Sequence, residues 1–225
     1  MRKVLLLLCL LMLSNTVLAG MEEGFDAWNR EDYDTAFKEL FPIAQHGDSS
    51  AQLLVGNMYA NGLGVGKNVS EAWKWYMKSA QQGNPTGQYS IGLNTDINLY
   101  PEEAKTWLEK SAKQGYSPAQ YELGMRYLKG RGVLVNHVLA TQWLRKSAMQ
   151  DADQAQYNLG VCYAKGMGVP LDFVEAYAWF RLALENDYVA AKRTLVMAEA
   201  ELTVEQKKEA EKRYQTLRSM ISQRK

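Results

Sequence analysis

The sequence predicts an all-α protein, a solenoid of about five to six stacked antiparallel helix pairs, and three observations predict it. Ala51-Gln52, Gly87-Gln88, Ala119-Gln120, Ala155-Gln156 and Ala191-Lys192 recur at offsets of 36, 32, 36 and 36 residues. A glycine column (Gly56, Gly92, Gly124, Gly160), an alanine column (Ala72, Ala104, Ala140, Ala176) and a tryptophan column (Trp75, Trp107, Trp143, Trp179) keep the same step. Within each unit the apolar residues fall three or four apart, which places them on one face of an α-helix. A unit of this kind buries its apolar side only against its neighbours.

The chain opens with Arg2-Lys3, an apolar run from Val4 to Leu13, and the small-residue site Val17-Leu18-Ala19. This is the layout of a secretory signal peptide over residues 1–19. The run is too short for the roughly 20 residues of a spanning helix. Cys9 lies inside it behind Leu8, where lipoprotein processing wants a small residue. Cleavage leaves 24 basic residues against 25 acidic and no integral membrane segment. The expected location is the periplasm, or outside the cell. One thiol remains, Cys162, so no internal disulfide forms and packing alone holds the fold. Cys162 is expected to be buried.

Residues 20–47 read as an N-terminal capping pair. Tyr33 to Gly47 matches the second helix of a repeat, because Ala36, Ala44 and Gly47 lie 36 residues before Ala72, Ala80 and Gly83. Met21 to Asn29 is its shortened partner, with Gly24 in the glycine column. Four repeats follow, at 48–83, 84–115, 116–151 and 152–187. In the first helix of each, the columns beginning at Ala51, Val55 and Tyr59 share a face. The glycine column costs about 1 kcal/mol relative to alanine, which makes sense where a neighbouring helix approaches closely. The second helix carries Ala72, Trp75, Tyr76 and Ala80 as an amphipathic stripe.

Between the two helices runs Asn61-Gly-Leu-Gly-Val, copied at Lys129 and Lys165. Its first glycine suits a left-handed helix cap, and the second carries the chain round. Gly62 to Lys67 has the look of a phosphate loop, but no strand precedes it and its copies lack the lysine. In the second repeat Asn94 to Tyr100 is four residues shorter, predicting a tight turn with Pro101 in the first turn of the next helix. Residues 188–225 form the C-terminal cap. Tyr188 to Leu202 is a last first-type helix with Val196 in the glycine column. Thr203-Val-Glu-Gln is a capping box, opening a closing helix striped by Ala210, Tyr214, Leu217 and Ile221.

The pattern Ala-Gln-x-x-Leu-Gly-x-x-Tyr-x-x-Gly-x-Gly-Val, then Ala-x-x-Trp-x-x-Lys-Ser-Ala-x-x-Gly, resembles the Sel-one-like repeat (SLR) family, relatives of the tetratricopeptide repeats. Residues 116–187 carry it in nearly full form, and 48–83 likewise. The resemblance implies a right-handed α-solenoid that acts as an adaptor scaffold, with first helices lining a concave groove. Exported bacterial relatives include immunity proteins that neutralise secreted antibacterial toxins, notably lipase-type effectors. Other relatives, rich in disulfides, are associated with binding or slowly hydrolysing β-lactams. This chain lacks their cysteine pairs, which places a weak envelope or β-lactam hydrolase behind the binding roles.

The residues point away from catalysis. His46 and His137 stand alone at helix ends, no cysteine or carboxylate cluster has ligand spacing, and no nucleophile elbow occurs. No catalytic, cofactor or metal residues are expected. Near-neutral charge argues against nucleic acid as a partner. Recognition is expected where the repeats differ, on a first-helix stripe whose columns lie four and three apart. That stripe comprises Leu54, Met58 and Asn61; Ser90 and Asn94; Glu122, Arg126 and Lys129; Asn158, Cys162 and Lys165; and Thr194, Ala198 and Glu201. Glu122, Arg126 and Lys129 are expected to form its polar centre. The function read from the sequence is a non-enzymatic scaffold that holds a protein or peptide in its groove, with an immunity protein that neutralises a secreted toxin as the alternative.

Overall fold

The computed structural model describes residues 19–223. The expected signal peptide lies, apart from Ala19, outside the described residues. Those residues form twelve helices and no strand: α1 (19–29), α2 (Tyr33–Gln45), α3 (Ser49–Asn61), α4 (Val69–Gln81), α5 (Pro85–Asn94), α6 (Pro101–Lys113), α7 (Ser117–Lys129), α8 (His137–Ala148), α9 (Asp153–Lys165), α10 (Phe173–Glu185), α11 (Ala191–Ala200) and α12 (Val204–Ser222). The all-α class is as expected. Two compact units divide the chain within α5, the first ending at Ile91 and the second beginning at Gly92.

The glycine column explains how each pair closes. A β-carbon added at Gly56 would come within 2.7 Å of the Tyr76 ring, so α3 and α4 touch where the side chain is missing. In the second unit Gly92, Gly124 and Gly160 meet Leu108, Leu144 and Phe180 at the same 2.7 Å. Gly24 meets Leu40 in that way too, so α1 approaches α2 closely at its glycine. Around this seam the first unit packs Leu40, Val55, Met58 and Trp75, and the second packs Leu144, Leu159, Trp179 and Phe180.

The loops between paired helices are tied at both ends. Gly62, Gly130 and Gly166 cap their helices in the left-handed region, at φ 78°, 70° and 66°. The residue that caps the next helix donates its N–H back to the first helix: Asn68 to the Tyr59 carbonyl at 2.8 Å, and Asn136 and Asp172 to the Tyr127 and Tyr163 carbonyls at 3.0 Å. The second loop glycine has a role the sequence did not reveal. A β-carbon at Gly168 would overlap the carbonyl of His137, and one at Gly64 the carbonyl of Tyr33. Each of these loops therefore lies directly on the start of the preceding second helix. The short loop after α5 turns tightly as expected, and Pro101 opens α6.

The glutamine beside each alanine is a buried strut. Gln52, Gln88, Gln120 and Gln156 donate through Nε2 to the carbonyls of Ala44, Ala80, Ala112 and Ala148, at 3.1 to 3.4 Å. In return Gln52 accepts from Gln82 at 2.8 Å, Gln120 from Gln150 at 2.7 Å and Gln156 from Asn186 at 3.1 Å. One side chain thus satisfies helix-end groups of two successive second helices. At the end of the second unit α12 runs along α10. Its Leu217 and Ile221 enter the cluster of Trp179 and Leu182. Arg213 pairs with Glu175, Arg181 with Glu211 and Arg218 with Glu185, and Tyr214 donates to Glu185 at 2.7 Å. The Thr203–Gln206 capping box is formed in both directions.

Candidate partner-binding face

The predicted stripe divides into surface and core. On α3, Leu54 is half-buried, Asn61 is exposed and Met58 is fully buried. On α5, Ser90 is half-buried and Asn94 exposed. On α7, Glu122 is half-buried and Lys129 exposed, while Arg126 is only 4% exposed. On α9, Asn158 is half-buried, Lys165 exposed and Cys162 fully buried. Met58 and Arg126 are therefore corrected from open surface to interior. Their column packs inward at Met58, Arg126, Cys162 and Ala198 and reaches water only at Asn94, where the helix ends early.

Arg126 is an internal bolt rather than the centre of an open polar patch. Its Nε donates to Glu122 at 2.9 Å and its Nη2 to the Gly92 carbonyl at 3.1 Å, tying α7 to the end of α5. Its Nη1 is buried without an acceptor. Glu122 also lies 3.5 Å from Arg131, so the carboxylate serves two guanidinium groups.

In the second unit the exposed part of the stripe leads into an apolar groove between α9 and α11. Its volume is about 290 Å³, and Val161, Ala164, Phe180 and Met197 line it together with Lys165 and Glu201. Beside it runs a row of rings, with Tyr157 5.0 Å from Tyr188 and 5.7 Å from Phe180. Burial raises the pKa of Tyr121, the equivalent residue on α7. The sequence signal for this row was present, since Tyr89, Tyr121 and Tyr157 recur at offsets of 32 and 36, but the stripe was drawn one column away. A larger cleft of about 660 Å³ lies between the start of α10 and α12. Two of its charged residues, Glu175 and Arg213, are already paired with each other across it.

Burial lifts the Cys162 thiol to about 11, so at neutral pH it is a poor nucleophile. The Nδ1 of His46 donates to the Pro42 carbonyl at 2.7 Å, and His137 is the first residue of α8. Among the described residues no group of three or more His, Cys, Asp or Glu side chains could hold a metal ion. No described helix is long and apolar enough to cross a membrane.

Comparison with known proteins agrees with this geometry. The Sel1 repeat matches residues 49–84, 88–116, 117–151 and 153–188, more than half of the chain. A Sel1 repeat protein from Oxalobacter formigenes is similar in structure, with TM-score 0.68 and 32% identity over 73% of this chain and 49% of that one. The protective antigen c5321 of uropathogenic Escherichia coli, which displays an SLR fold, has TM-score 0.58 and 27% identity over 91% of this chain and 54% of its own. The immunity protein PA5088 from Pseudomonas aeruginosa shares the fold at TM-score 0.55 and 20% identity, over 89% of this chain and 81% of its own. The curated relatives that match are much longer, and the chain spans between 8% and 29% of their length. By its four matched repeats and by a fold it shares with solved solenoids of the same kind, the chain belongs to the Sel1 repeat family.

Proposed function

We propose that this protein is an exported, non-enzymatic scaffold that holds a protein or peptide partner on the first-helix face of its second unit, in the periplasm of a Gram-negative bacterium. The observation that carries this reading is the groove between α9 and α11. It is apolar along its walls, has Lys165 and Glu201 among its lining residues, and is built from columns that keep no fixed chemistry between repeats. Such a site suits an apolar anchor side chain flanked by polar contacts. Within the same unit the accessible remainder of the stripe, Asn94, Glu122, Lys129 and Asn158, would supply further contacts; Leu54, Asn61 and Ser90 form the corresponding part of the stripe on the first unit. The purified mature chain, immobilised and offered envelope proteins, is expected to retain a specific partner that a Val161→Glu, Lys165→Glu variant releases. Equal retention by the variant would overturn the groove as the site.

A sharper form of this reading is an immunity protein that holds a secreted toxin inactive. It is supported by the shared fold of the immunity proteins PA5087 and PA5088. A lipase-type effector encoded beside this gene, co-expressed with the chain, is the test. Protection of the host cell together with co-purification supports the immunity role, and failure of both returns the protein to general adaptor work.

A further inference from the structure

The last first-type helix leaves open a face that earlier pairs cover. In those pairs the glycine column lies under the facing second helix of its own repeat. In α11 that column holds Val196. Because α12 is committed to α10, Val196 is 62% exposed and its neighbour Met197 57% exposed. Removing these apolar side chains from water is favourable, so the open face favours an occupant.

The face also carries a pattern that says which occupant. Its exposed residues are Lys192, Arg193, Val196, Met197, Ala200 and Glu201. They are symmetric about the midpoint between Val196 and Met197: Val196 mirrors Met197, Arg193 mirrors Ala200, and Lys192 mirrors Glu201. Val189 and Val204, 75% and 66% exposed, flank the helix at equal distances along the sequence from that midpoint. A surface that is apolar at its centre, cationic at one end and anionic at the other is complementary to itself after a half-turn.

We propose that α11 packs antiparallel against the α11 of a second copy of this chain, about a two-fold axis passing between Val196 and Met197. Lys192 of each copy then lies opposite Glu201 of the other, twice per dimer, and the apolar centres bury one another. A single helix-on-helix contact is small beside the roughly 1,200–2,000 Å² of a standard stable interface, so the dimer is reversible and concentration-dependent.

Sedimentation of the mature chain over a wide concentration range tests this, with circular dichroism confirming that each variant keeps its helices. The mean mass is expected to rise from one chain towards two, and Val196→Glu to stay at one chain throughout. Lys192→Glu and Glu201→Lys are each expected to weaken association about tenfold. The double exchange, Lys192→Glu with Glu201→Lys, is expected to restore it, because only a two-fold pairing brings these two positions together. A mass of one chain at every concentration would overturn the proposal. So would a dimer indifferent to Val196→Glu, or a double exchange as weak as the singles. The partner groove shares Met197 and Glu201 with this face, so the two readings are separated by residues that belong to only one of them: Val161→Glu with Lys165→Glu, on α9, is expected to release the partner and leave the dimer, and Val196→Glu to abolish the dimer and leave partner retention.

Discussion

The second helices α8 and α10 start from the same pattern and end in different surroundings. In α8, Trp143 is half-buried and the Lys146 ammonium sits over its ring, 4.3 Å from the centroid. The same arrangement occurs at Trp75 with Lys78 and at Trp107 with Lys110, at 3.9 and 4.1 Å. In α10 the lysine is replaced by Leu182, and Trp179 is fully buried beneath α12 with its Nε1 donating to Glu175 at 3.1 Å. In this column Trp107 and Trp143 are half-buried rings, whereas Trp75 and Trp179 are buried. A lysine stem and cation supply the lid along the stack, and a whole helix supplies it at the end. The change from lysine to leucine marks where the solenoid stops.

The largest test of this difference is at the ring itself. Trp179→Ala is expected to lose about 3–5 kcal/mol of stability in urea unfolding followed by far-ultraviolet circular dichroism, and Trp143→Ala about half as much or less. Equal losses would mean that α12 contributes nothing to the burial of Trp179. Exchanging the lids comes next. Leu182→Lys is expected to cost about 3 kcal/mol by pressing an ammonium under α12, whereas Lys146→Leu should change stability by under about 1 kcal/mol.

The first helices differ in the same manner, since one inward column carries Arg126 on α7 and Cys162 on α9. The arginine is already charged and partnered, but the thiol is neutral and becomes a buried anion only at high pH. Its pKa is raised on folding from near 9 to about 11, so the folded state holds the proton more tightly than the unfolded chain. The associated stability is complete below about pH 9 and falls as pH rises through 11, by about 3 kcal/mol at most. Cys162→Ala should flatten that alkaline fall while lowering stability at neutral pH; an unchanged alkaline slope would show that other groups, the buried tyrosines among them, control it. The smallest contrast concerns the struts. Asn186→Ala and Gln150→Ala are each expected to cost about 1 kcal/mol in urea unfolding, since each also makes a second bond, Asn186 to Asp151 at 2.7 Å and Gln150 to the Gly115 carbonyl at 2.9 Å.

Much of this was legible in the residues. The glycine column announced the close approach of paired helices, down to Gly24, and the four-residue deletion announced the tight turn before Pro101. The capping box and the burial of Cys162 were likewise correct. The binding stripe was only partly legible. A spacing of three and four places Leu54, Met58 and Asn61 on one side of a helix, yet that side is about a third of a circumference wide. Which edge faces water depends on the angle of the next helix. Met58 and Arg126 fell on the inner edge, and the tyrosine row one column over escaped notice.

The sequence by itself determined the period, the pairing of helices, the caps and the left-handed turns, because each depends on residues within one or two turns of each other and is repeated often enough to be seen. Only the tertiary structure decided that the second loop glycine makes room for a carbonyl of the preceding repeat. It alone decided that Gln52 and its copies span two helix ends, and that α12 covers α10 and leaves α11 bare. Those are contacts between segments about thirty or more residues apart, where burial is shared among neighbours and no local pattern records which surface wins the cover.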